Sequence, residues 1–434
     1  MTKTALSQRQ AAQAALELPK ALRLHIGLFG KRNAGKSSLI NRLTGQNLSI
    51  VSDIPGTTTD PVEKACELHP VGPVVFIDTA GIDDTGELGA LRVGRSLSVM
   101  QWVDLALVVI DAAAGISADD ENLLASIRTR GIPAIAVLNK ADRVSNEAAS
   151  ALARSPALAE LSALPVSSLT GAGIEELRGQ IARTVSETWQ PDRPLTEGLV
   201  PRGGLAVLVT PIDFGAPKGR LIQPQTQTIR ELIDQGSRCI VVREDQVAGT
   251  LSELRRKPNA VITDSQAIKA VAEQVPEDIA LTTFSILMAR SKSDLTALAR
   301  ATPFLNALRP GERILISETC SHNPQGEDIG RVKIPNWIAQ KQGGAMDVDI
   351  AVSKDFPSDL RPYKIVIQCG GCMVTRRHML ARLRECFAQG VPMTNYGLAI
   401  SELQGVLDRT LSPFPEALAA YRSEREKLEQ AGEL

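Results

Sequence analysis

Leu24–Gly45 reads LHIGLFGKRNAGKSSLINRLTG. An apolar run leads into Gly30-Lys31-Arg32-Asn33-Ala34-Gly35-Lys36-Ser37, a complete G-x-x-x-x-G-K-[ST] motif, and a helical pattern follows it. Strand, glycine-rich turn and helix are the three parts a phosphate-binding loop needs. The glycines let backbone N–H groups turn toward the β- and γ-phosphates, Lys36 supplies positive charge, and Ser37 offers its hydroxyl to magnesium, with Ala34 and Ser38 completing the loop.

Further motifs narrow the nucleotide. Asp78-Thr79-Ala80-Gly81 closes the apolar run VVFIDTAG, where the carboxylate can hold a magnesium shell and the Gly81 amide can meet the γ-phosphate. Asn139-Lys140-Ala141-Asp142 closes PAIAVLNK, and the Asp142 carboxylate can accept both hydrogen bonds from the guanine N1 and N2 edge, a pair adenine does not offer. Ser167 and Ser168 in PVSS supply a further base contact. Order and spacing specify GTP or GDP with Mg2+. Lys36, Asp78 and Gly81 are the candidate catalytic groups of this set.

The rest of the chain follows the same rhythm. LHIGLFG, VVFIDTAG, LALVVIDA and PAIAVLNK read as buried parallel strands of a doubly wound α/β domain over 22–188. Proline and glycine cluster around ETWQPDRPLTEGLVPRGG, which reads as a linker. A second, small α/β unit follows over 196–265, and a third α/β unit occupies 266–434. The second is marginal by itself, and pairing its sheet edge with a partner copy would stabilise it.

Composition sets limits. The 434 residues are 43% hydrophobic and 22% charged, the balance of a globular chain. No apolar run reaches the roughly 18 residues of a spanning helix. The amino terminus lacks the apolar core of a secretion signal, so a cytoplasmic location is expected, with no membrane partner. A net charge of -1 and 3% aromatic residues argue against a nucleic-acid partner.

Cysteine usage adds a second site. Cys320 and His322 form C-x-H in SETCSHNP, and Cys369 and Cys372 form C-x-x-C in IQCGGCMV. In a reducing compartment such groups read first as metal ligands. Four ligands of this kind could close a structural zinc site, and three thiolates could hold a 4Fe-4S cluster with His322 or an exchangeable group on the fourth iron. Packed thiols without metal are the third option. Cys66, Cys239 and Cys386 read as core residues. His25 and His69 read as structural, and His378 as a surface residue or a reserve ligand.

NAGKSSLINRLTG followed by DIPGTTTDPV resembles the GTPases related to TrmE and Era. That resemblance implies that Thr58 closes on magnesium as a catalytic switch threonine, and that Asn33 helps coordinate K+ in potassium-activated members. Ile82 stands where Ras-like enzymes carry the water-orienting glutamine, so slow hydrolysis is expected. Together with PIDFGAPKGRLIQPQTQTIRELID, SETCSHNPQGEDIGRVKIPNW and CGGC, the chain resembles the FeFe-hydrogenase maturation GTPase family HydF from about Arg23 onward. The resemblance implies a GTPase domain, a dimerisation domain giving a homodimer, and a cluster-binding domain whose Cys320, Cys369 and Cys372 hold a 4Fe-4S cluster. It further implies a scaffold or carrier that receives a transient di-iron precursor from the radical-SAM maturases HydE and HydG and delivers it to the FeFe-hydrogenase apoprotein. Many members carry a histidine just before C-x-x-C. Gln368 occupies that position here, which leaves His322 as the motif candidate for a fourth ligand. The alternative is a TrmE- or Era-like GTPase of tRNA modification or ribosome assembly with a structural zinc domain.

Overall fold

A computed structural model describes residues 23–45, 62–82, 99–100, 103–188, 192–211, 221–319, 328–352 and 356–434. The chain divides into two compact units, Met1–Pro191 and Asp192–Leu434.

The first unit is built on a six-stranded sheet of β1 (Leu24–Phe29), β2 (Val62–Leu68), β3 (Gly72–Asp78), β4 (Leu105–Asp111), β5 (Ala134–Asn139) and β6 (Ser162–Pro165), in the order β2-β3-β1-β4-β5-β6. All neighbours are parallel except β2, which runs antiparallel to β3. The apolar runs β1 and β4 are buried almost end to end, because helices cover both faces. Leu39, Ile40 and Leu43 of helix Lys36–Thr44 and Leu177 and Ile181 of helix Ile174–Thr188 pack on one face. Leu123, Leu124 and Ile127 of helix Ala118–Thr129 pack on the other. At roughly 1.5–3 kcal/mol for each fully buried aliphatic side chain, these two layers outweigh any local propensity. Successive strands leave β1 on opposite sides, so the loop after β1 opens at a topological switch point.

The second unit contains two four-stranded parallel sheets. One comprises β7 (Leu205–Val209), β8 (Arg238–Val242), β9 (Ala260–Thr263) and β10 (Ala280–Thr283), ordered β10-β9-β7-β8. The other comprises β11 (Arg313–Glu318), β12 (Asp347–Val352), β13 (Ile365–Gln368) and β14 (Met393–Asn395), ordered β12-β11-β13-β14. Side-chain alternation sends Ala206 and Leu208 to one core and Val207 and Val209 to another. Leu315 and Val366 join the first of these cores, and Ile314, Ile316 and Ile367 join the second. The small sheet therefore gains its stability within the chain from two apolar cores continuous with the third sheet, besides anything a partner's edge adds.

Local departures from the sequence expectation have plain causes. The apolar stretch LTALARATPFLNAL reads as one helix, but the helix ends at Ala301 and tightens into a 3-10 turn at Thr302–Leu305, where Pro303 cannot continue it. Cys386 is buried as expected, whereas Cys66 and Cys239 are only half-buried, since both lie near sheet edges.

Candidate functional site

The phosphate loop wraps back on itself around Lys36. Its Nζ donates to the carbonyls of Gly30 at 2.9 Å and Lys31 at 2.8 Å, at the mouth of helix Lys36–Thr44. Gly35 has φ 93°, and a Cβ there would lie 2.3 Å from Asn139 Nδ2, so glycine is needed both for the turn and for the approach of the base-recognition loop. Asn33 takes φ 60°, a left-handed conformation that asparagine tolerates better than most residues. Ser37 Oγ donates to Asp78 Oδ2. Burial pushes the Asp78 carboxyl up, against the hydrogen bond from Ser37 and the charge of Lys36, so a cation beside it would relieve a strained group. Thr79 Oγ1 donates to the Leu28 carbonyl at 2.6 Å and ties the end of β3 to β1 ahead of Gly81.

The base-recognition residues are equally ordered. Asn139 Nδ2 donates to the Ala34 carbonyl at 2.9 Å, while its Oδ1 accepts from the Ser168 amide at 3.1 Å and the Ser168 hydroxyl at 2.9 Å. Asn139 thus locks the phosphate loop to the PVSS loop. Ser167 Oγ donates to Asp142 Oδ1 and orients the carboxylate expected to read guanine. Lys140 Nζ donates to Asp111 Oδ2 at 2.6 Å, a pairing that joins the ends of β5 and β4 and that sequence spacing gave no sign of. A cavity of about 170 Å³ beside the loop is lined by Lys31, Asn33, Ala34, Asp111 and Lys140. Ser38 lies exposed in the first helical turn. Thr58 lies outside the described residues.

The cysteine site lies at a second switch point. From β11 the chain crosses to β12 on one side, and from β13 it crosses to β14 on the other, so the carboxyl ends of β11 and β13 flank a topological switch point. Ser317 pairs with Gln368, and the Cys369 amide donates to the Ser317 carbonyl at 2.9 Å. Thr319, which precedes Cys320 in the chain, brings its amide within 3.3 Å and its hydroxyl within 3.1 Å of Cys369 Sγ. Cys320 and His322 themselves lie outside the described residues. Gly371 makes the turn of C-x-x-C possible, with φ 66° and no room for a Cβ beside Met379 Sδ.

Among the described residues no three His, Cys, Asp or Glu side chains assemble around a metal-sized space, two of the four expected ligands being outside them. The donor chemistry fits a metal-bound sulfur nonetheless. Gln368 Nε2 approaches Cys369 Sγ at 3.4 Å, adding to the two Thr319 groups, a set of polar contacts suited to a sulfur that carries negative charge. Burial, then the neighbouring Cys369, pushes the Cys372 thiol up to about 11, so two adjacent thiolates here need a cation, which a metal supplies by deprotonating its ligands outright. Gln368 is fully buried: its Nε2 also donates to the Ser317 carbonyl at 3.0 Å, and its Oε1 accepts from Arg382 Nη1 at 3.0 Å. It acts as a support for Cys369, a role its position before C-x-x-C did not disclose. His378 lies in the first turn of helix Arg376–Ala388, its amide donating to the hydroxyl of the capping Thr375 at 3.3 Å.

Comparison with known families bears on both sites. Residues 25–140 match the profile described as a 50S ribosome-binding GTPase, 195–293 match the hydrogen maturase F dimerization domain, and 296–413 match the hydrogen maturase F tetramerization domain. The chain belongs to the HydF family. Both cysteine motifs fall within the segment that matches the family's tetramerization domain, so the chain carries two HydF oligomerisation domains where sequence reasoning anticipated one. The first unit is also similar to the tRNA modification GTPase MnmE of Nitrosomonas europaea, 34% identical over 171 residues that cover 38% of this chain and 35% of that protein. GTPase Der of Kosmotoga olearia is 40% identical over 124 residues, 27% of this chain and 28% of that one. The chain thus spans about a third of the length of these curated relatives. An Era variant of Aquifex aeolicus, solved with GDP and AlF4−, aligns at 29% identity and a TM-score of 0.33 over 37% of this chain and 56% of that one. This HydF-family chain is a GTPase with a guanine-nucleotide and Mg2+ site in its first unit. Among the described residues no helix is long and apolar enough to cross a membrane.

Proposed function

We propose that the chain is a GTP-switched scaffold of FeFe-hydrogenase maturation. It binds a 4Fe-4S cluster through Cys320, Cys369 and Cys372, accepts a di-iron precursor from HydE and HydG, and delivers it to the apo-hydrogenase. The observation that carries this is that β11 and β13, which end just before the two cysteine motifs, are paired at one switch point, with Thr319 against Cys369 Sγ, inside HydF-family domains. Three thiolates leave one iron of a cluster able to exchange a ligand, which a carrier needs. His322 is the candidate for the fourth position.

In the GTPase unit, Lys36 neutralises phosphate charge, Ser37, Thr58 and Asp78 serve magnesium, and the Gly81 amide meets the γ-phosphate. Asn139, Lys140, Asp142, Ser167 and Ser168 hold guanine, and Asn33 coordinates K+. Ile82 offers no group to orient water, so turnover is slow and suits a switch. The working domain division is 22–188, 196–265 and 266–434, with a homodimer formed through the small sheet. The cytoplasm is the compartment these chemistries suit.

Anaerobic purification followed by iron, sulfide and zinc analysis tests the proposal. The expected result is about four irons per chain, lost when Cys320, Cys369 and Cys372 are all changed to Ser. Stoichiometric zinc without iron would overturn it in favour of a TrmE-like GTPase with a structural zinc domain.

A further inference from the structure

Helix Phe284–Lys292 packs along the C-x-x-C loop, and its last residue is a lysine only 1% exposed. Lys292 Nζ donates to the carbonyls of Val374 at 2.7 Å, Gly371 at 3.3 Å and Cys372 at 3.4 Å. Three acceptors call for three N–H groups, which is the ammonium form. Among the described residues no carboxylate lies within ion-pair distance of it. Burying an ammonium is costly, and the three carbonyl dipoles offset that cost only in part. Across the same loop Arg382, 3% exposed, hydrogen-bonds Ser317 Oγ at 2.8 Å and Gln368 Oε1 at 3.0 Å. A buried ammonium seated on the C-x-x-C carbonyls suits a group that becomes anionic when loaded: a cluster held by three thiolates is negative in either oxidation state, and more negative when reduced.

We propose that Lys292 is the charge-compensating residue of the cysteine site, favouring binding of the anionic iron-sulfur group and raising its reduction potential. Lys292 acts through the field of its ammonium and through the three carbonyls that fix the loop around Cys372. This inference rests on the cluster reading given above.

Full-length protein with Lys292→Met, reconstituted anaerobically with iron and sulfide, tests it. The cluster's midpoint potential should fall by at least about 59 mV, a tenfold shift in a one-electron equilibrium, in protein whose metal-free form still folds, its melting temperature lowered because three loop carbonyls lose their donor. Lys292→Gln should lower the potential likewise, and it serves if the Met variant fails to fold. Cluster-loaded variants with the wild-type potential would overturn the proposal alone. Wild-type protein that takes up no iron and sulfide would overturn it together with the reading on which it rests.

Discussion

Asn33 stands at φ 60° in the phosphate loop. Two physical demands meet on this side chain. An asparagine in the left-handed region avoids part of the roughly 1–2 kcal/mol that most residues would lose there, and its amide oxygen is also available to a monovalent cation beside the phosphates. The cation dependence of hydrolysis separates the two. Replacing K+ by Na+ should slow GTP turnover by about threefold or more, as expected when a cation offsets charge developing in phosphoryl transfer. Equal rates in both salts would leave Asn33 with its backbone role alone. At the same scale Asn139 ties three loops together through its amide, and its spacing in NKAD was readable from sequence. The Lys140–Asp111 pair was not, because it depends on β4 and β5 lying side by side.

The edge strand β8 carries the element-scale argument. Arg238–Val242 has no fully buried residue, with Arg238 exposed and Val241 44% exposed, while the opposite edge β10 is buried along its last three residues. Ile233 of helix Gln223–Asp234, in the connection between β7 and β8, is 57% exposed. A free edge with apolar side chains invites another strand, whereas β12 answers the same hazard with charge: Arg313 on β11 bridges Asp347 at 3.1 Å and Asp349 at 2.5 Å. Val241→Lys should therefore lower the mass measured by light scattering, separating copies joined through β8 and leaving GTP hydrolysis near the wild-type rate. An unchanged mass would place the dimer contact elsewhere. The strand itself was legible as RCIVVRE; that it is an edge was not, since strand order is set by crossovers that leave no local pattern.

At the scale of the whole molecule, nucleotide and cysteine chemistry belong to separate units with separate cores. A defect in one site should leave the other's composition intact. Lys36→Ala should reduce GTP hydrolysis by about a hundredfold or more, yet retain the iron content of the wild type by colorimetric assay. Loss of both together would mean that folding of the second unit depends on the nucleotide site. The second unit also shows where domain reading by linker and length stops: no proline-rich break marks a boundary between its two sheets, and side chains from both sheets fill the same two cores.

By itself the sequence determined the parallel strands and the phosphate loop, because periodic burial and obligatory glycine positions are local demands written residue by residue. It also determined that the cysteines come in two motifs. Tertiary structure alone decided that these motifs open at neighbouring strand ends, that Gln368 supports Cys369, and that a lysine ending an apolar helix is buried against the cysteine loop. Those facts are contacts between residues far apart in the chain, selected by how the sheets and helices close around shared cores.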